Sequence, residues 1–80
     1  MPALKTILEA VLLAAGEPLP LERLQKVFPE AEQPEREALR AALAELTVDY
    51  AGRGLELIEV ASGFRVQVPS AFSPWVSRLW

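Results

Sequence analysis

Eighty residues set the scale at one small domain or a piece of a longer chain, and 51% apolar residues with two Trp and three Phe supply a core and exclude intrinsic disorder. Eleven acidic against eight basic residues give a net charge of -3, which opposes a polyanionic ligand unless the basic groups gather on one face. Cysteine and histidine are both absent, so disulfides, thiol nucleophiles, imidazole bases and the usual zinc ligands are excluded together.

The start, MPALKTILEAVLLAAG, has one Lys and then an apolar run, but Thr6 and Glu9 interrupt it and Gly16-Glu17-Pro18 stands where a signal-peptide cleavage site would lie. No stretch of about 20 apolar residues could span a bilayer, and a cytoplasmic protein is expected. A first helix is predicted over residues 3–15, closed by Gly16. At 100° per residue, Leu4, Ile7, Leu8, Val11, Leu12, Ala14 and Ala15 share a broad arc, with Leu13 on the opposite side among Lys5, Thr6 and Glu9. That is wider than one core contact needs. It fits either a central helix touched on two sides by its own domain or a helix with one flank against another chain.

Pro18 and Pro20 stiffen the next connection, and residues 21–28 read as a short second helix presenting Leu21, Leu24, Val27 and Phe28. After a polar loop over residues 29–33, Pro34 is expected at the first position of a third helix, with Glu35 and Glu37 favourably placed in its first turn. That helix should run to residue 51 and stop at Gly52, with Leu39, Leu43, Leu46 and Tyr50 on its core face.

Residues 53–68, RGLELIEVASGFRVQV, alternate apolar and polar on both sides of a short turn and predict a β-hairpin. A three-residue loop, Ala61-Ser62-Gly63, pairs Val60 with Phe64 and Ile58 with Val66 on the inner face, sets Glu59 opposite Arg65, and leaves Leu57 on the outer face. One hairpin after three helices reads as the wing of a winged helix, an α+β fold that is mostly helical. Beyond Pro69, Ser73 can cap a final short helix starting at Pro74, and Phe72, Trp75, Val76, Leu79 and Trp80 make this the most aromatic stretch. Its abrupt stop suggests a second domain beyond residue 80.

A winged helix invites DNA binding as a transcriptional regulator, but the third helix carries Glu35, Glu37, Glu45 and Asp49 against Arg36 and Arg40, and the wing offers only Arg65 with Arg53 at its base. No carboxylate pair has a partner group and no glycine-rich phosphate loop exists, so neither enzyme chemistry nor a cofactor is expected. The apolar excess points instead to a protein interface, for which Leu8, Leu12, Leu13, Leu57, Phe72, Trp75, Leu79 and Trp80 are the candidates. For Trp75 and Leu79 the competing reading is that they close the domain's own core.

The stretches LKTILEAVLLAAGEPLPLERL, ALRAALAELTVDYAGRGLELIEVASGFRVQV and FSPWVSRL resemble the N-terminal part of the segregation and condensation protein B family, over about residues 4–79. ILEAVLLAAGEPL, YAGRG and GLELIEVASGFRVQV are the most specific pieces; Pro20 departs from the Ser or Thr helix cap common in that family. The resemblance implies a non-catalytic subunit of the bacterial chromosome condensation and segregation complex, nucleoid-associated through that complex. It further implies two winged-helix domains, of which residues 1–80 would be the first, and homodimerisation largely through this domain. The expected partners are a second copy, the kleisin subunit mainly through the missing second domain, and the SMC ATPase indirectly. Direct specific contact with nucleic acid, a membrane or a small molecule is not expected.

Overall fold

The computed structural model describes residues 2–80. Three helices, α1 (Leu4–Ala15), α2 (Leu21–Lys26) and α3 (Arg36–Asp49), precede an antiparallel hairpin of β1 (Glu56–Val60) and β2 (Gly63–Gln67), and a short helix α4 (Ser73–Val76) follows. Single 3-10 turns lie at Glu30–Glu32, Ser70–Phe72 and Ser77–Leu79. The order is that of a winged helix.

The core forms where three helical stripes meet one face of the hairpin. Leu8 and Leu12 of α1, Leu21 and Leu24 of α2, and Leu39, Ala42, Leu43 and Leu46 of α3 are buried together with Leu19, Tyr50, Leu57 and Phe64. Each fully buried leucine, such as Leu24 or Leu39, contributes roughly 1.5–3 kcal/mol from removal of apolar surface from water. Gly16, at φ 66°, ends α1 in the left-handed conformation that the sequence suggested.

Several local expectations are corrected. Pro34 lies outside α3, whose N-cap is Glu35 in an extended conformation, and the Pro34 carbonyl instead accepts a hydrogen bond from Gln25 Nε2 at 3.1 Å, tying α2 to the start of α3. Helix α2 stops at Lys26, leaving Val27 exposed. Ser73 is the first residue of α4 and makes no capping hydrogen bond.

The largest correction concerns the hairpin. Leu57 pairs with Val66, Ile58 with Arg65, Glu59 with Phe64 and Val60 with Gly63, so the turn is Ala61-Ser62 and the register is one residue from the expected one. A slip of one residue exchanges the two faces. Leu57 therefore points into the core and Val60 outward, and Arg65 lies across from Ile58 instead of Glu59. The outer-face polar contacts are Gln67 Nε2 donating to Glu56 Oε2 at 2.8 Å and Arg65 Nε donating to Gln67 Oε1 at 3.0 Å.

Leu19 anchors the hairpin through β2. Standing between two prolines, it is held extended, because a residue before proline is driven from the helical region. It forms a one-residue third strand beside β2: Leu19 N–H donates to the Phe64 carbonyl and Phe64 N–H to the Leu19 carbonyl, both at 2.8 Å. Gly63 sits against this bridge at φ 136°, where a Cβ would come within 2.3 Å of the Leu19 carbonyl carbon. Only glycine permits that approach, and the approach fixes Phe64 on the core side.

Candidate protein-interaction surface

The eight candidate residues separate into two groups. Leu8, Leu12 and Leu57 are core residues of this chain, with 0%, 3% and 7% of their surface exposed. For Leu8 and Leu12 the reason is that α1 is gripped by α3 on one side and β2 on the other; for Leu57 it is the register. Leu13, Phe72, Trp75, Leu79 and Trp80 are exposed, and the structure brings them into two surfaces.

The first surface is the outer flank of α1. Helical spacing places Thr6, Ala10, Leu13 and Ala14 side by side, all exposed, with Leu13 at 57%. Next to it lies a groove of about 250 Å³ between the end of α1 and β2, lined by Leu12, Leu13, Gly16, Glu17, Arg65 and Val66.

The second surface is the C-terminal segment. Every residue from 70 to 80 is exposed, and Trp75 at 69% and Trp80 at 90% show that these rings do not close the domain's own core. Local hydrogen bonds hold the segment's shape: Phe72 N–H donates to the Pro69 carbonyl and Ser77 N–H to the Ser73 carbonyl. Phe72, Trp75, Val76 and Leu79 share one face at three- and four-residue spacing. The molecule has extents of 47 × 23 × 21 Å and a Cα radius of gyration of 13.7 Å, against about 12 Å for a compact chain of this length.

A polar seam beside the outer flank of α1 fixes the pose of that helix on α3. Lys5 Nζ lies 2.8 Å from Asp49 Oδ2 and 3.9 Å from Glu45 Oε1, and the hydrogen bond to Asp49 is the main cause that raises the Lys5 pKa. Tyr50 Oη donates to Glu9 Oε2 at 2.7 Å. Burial first, and then this contact with an anion, push the Tyr50 hydroxyl up to about 12. Neither pair was singled out in the sequence, although Lys5 and Glu9, four residues apart, share one side of α1.

The surface that a DNA-binding winged helix would use is acidic and poor in donors. Helix α3 exposes Glu37, Glu45 and Asp49 beside Arg36 and Arg40, and the hairpin tip exposes Ala61 and Ser62. Glu59 and both arginines line one shallow depression between α3 and the hairpin. Among the described residues no three or more Asp, Glu, His or Cys are grouped to hold a metal ion, and no helix is long and apolar enough to cross a membrane.

Comparison with known proteins places this geometry. Residues 6–80 match the family model described as segregation and condensation complex subunit ScpB. The segregation and condensation protein B homolog of Coxiella burnetii is 47% identical over 76 residues, 95% of this chain and 36% of that protein. The segregation and condensation protein B of Bacillus subtilis is 38% identical over 78 residues, 94% of this chain and 38% of its own length. The chain thus spans little more than a third of these relatives. Among solved structures, a crystal structure of a dimer of the ScpB N-terminal domain complexed with a ScpA peptide superposes with a TM-score of 0.79 at 33% identity, covering 95% of this chain and 93% of that one. ScpB from Mycobacterium tuberculosis superposes with a TM-score of 0.81 at 29% identity, over 95% of this chain and 46% of that one.

Proposed function

The chain belongs to the segregation and condensation complex subunit ScpB family, and from that membership we propose that it is the first of two winged-helix domains of a non-catalytic, homodimerising scaffold subunit. It acts in the bacterial cytoplasm at the nucleoid, with the kleisin and SMC subunits of the chromosome condensation and segregation complex. The observation that carries the reading is the uncovered apolar surface: Leu13 on α1 and Trp75, Leu79 and Trp80 beyond β2 are exposed on a chain whose nearly full-length structural relative is a dimer. Patches of this kind mark protein contacts.

That relative also holds a ScpA peptide on its N-terminal domain, which supports a kleisin contact on residues 1–80 in addition to the contact expected of a second domain. The acidic balance of α3 favours assembly over DNA binding. Light scattering at high micromolar concentration should give twice the 8.8 kDa chain mass, and titration with a kleisin peptide should saturate at a fixed ratio to dimer. A strict monomer would overturn the scaffold reading, and a shift of duplex DNA that weakens steeply with salt would replace it.

A further inference from the structure

The C-terminal segment and the groove beside Leu13 are unsatisfied in complementary ways. Residues 70–80 make barely two helical turns, well below the roughly 12–15 residues at which an isolated helix begins to persist in water, so packing has to supply their order. Their own chain supplies little, since none of them is buried. Phe72, Trp75, Val76 and Leu79 nevertheless recur at the three- and four-residue spacing of a helix face that becomes covered. The groove between α1 and β2 is lined by Leu12, Leu13 and Val66, and Ala10 and Ala14 are exposed on the same helix as Leu13. Its rim carries Glu17, a counter-charge for Arg78, the basic residue of the segment, while the other rim charge, Arg65, is already directed at Gln67.

We propose that residues 72–80 form an exchanged arm: Trp75 and Leu79 of one copy seat in the α1–β2 groove beside Leu13 of a second copy, which returns its own arm to the first. The second copy is the occupant because both halves of the contact lie on this one chain, so a two-fold axis makes them twice over, as an isologous interface requires. Every residue from 70 to 80 is exposed, so the arm is not spent on its own body. This inference rests on the homodimer reading and adds which surfaces meet.

Two full-chain variants test it, each altering exposed residues only. Leu13→Glu spoils the groove and leaves the arm; Trp75→Ser with Leu79→Ser spoils the arm and leaves the groove. Circular dichroism should show both folded like the parent. At a concentration where the parent is dimeric by sedimentation velocity, each variant alone should self-associate roughly tenfold or more weakly, as loss of a buried aromatic anchor does. Mixed in equal amounts they should recover dimer, because a mixed pair keeps one intact arm in one intact groove. A monomeric parent overturns the homodimer reading and this inference with it. A dimeric parent with equally dimeric variants overturns the arm alone, in favour of another face. Two monomeric variants whose mixture stays monomeric overturn the exchange.

Discussion

Tyr50 is the sole tyrosine of the chain, and its hydroxyl on Glu9 gives a direct optical handle on how α1 is held. Below pH 10 the hydroxyl is protonated in folded and unfolded chains alike, and its contribution is complete. Between 10.0 and about 12 only the unfolded chain releases the proton, so stability falls as pH rises, by about 2–3 kcal/mol across that window. Lys5, also raised, loses its contribution in the same direction. Tyrosinate absorbance should therefore rise with a midpoint near 12, and a midpoint near 10 would mean that the hydroxyl is neither buried nor bonded to Glu9. At Gly63 a side chain would strike the Leu19 backbone, whereas at Gly16 it would meet open space. Gly63→Ala is expected to cost at least about 2 kcal/mol in urea unfolding, and Gly16→Ala only the left-handed penalty of about 1–2 kcal/mol.

Among the elements, α1 and α3 were legible in the sequence because a helix carries its signal in local periodicity. Leu8 and Leu12, and Leu39, Leu43 and Leu46, recur at the spacing that one buried face demands, and Gly16 marks an end by its own conformation. The hairpin was legible as a hairpin but not in register. LELIEV supports two alternations, Leu55 with Leu57 or Ile58 with Val60, and nothing between residues 53 and 68 chooses between them. Packing makes the choice by burying Leu57 against the helices, while the bridge from Leu19, more than forty residues away in sequence, anchors Phe64, which faces inward under either alternation. The Pro18-Leu19-Pro20 triplet was the available sign that Leu19 is extended. The observed register predicts that Leu57→Ala costs about 2–4 kcal/mol and Ile58→Ala about 1 kcal/mol or less, by denaturant midpoint; the rejected register would reverse that order.

For the whole molecule, the apolar content of the sequence exceeds what its own core absorbs, and the surplus collects at Leu13 and along the arm. A chain of 80 residues buries only about 60% of its unfolded surface, so a dimer that covers these patches also stabilises the fold. Mass action then makes the melting temperature rise with protein concentration. A melting temperature that stays constant over a hundredfold dilution across the dimer range would argue that the patches remain bare. The sequence pointed to Trp75, Leu79 and Trp80 as candidates through composition alone. It pointed to Leu8 and Leu12 through the broad stripe of the first helix and to Leu57 through the expected register, and the structure places all three in the core.

By itself the sequence determined the helices, the presence of a hairpin, the lack of thiol and imidazole groups and the family resemblance, because each is written in local spacing or in residue identity. The tertiary structure decided which face of the hairpin is inside, which leucines of α1 are spent on the core, and that residues 70–80 stand away from the body. Those outcomes depend on contacts between segments far apart in the chain. Apolar periodicity states that a face will be covered, and only the assembled core shows whether the chain itself has covered it.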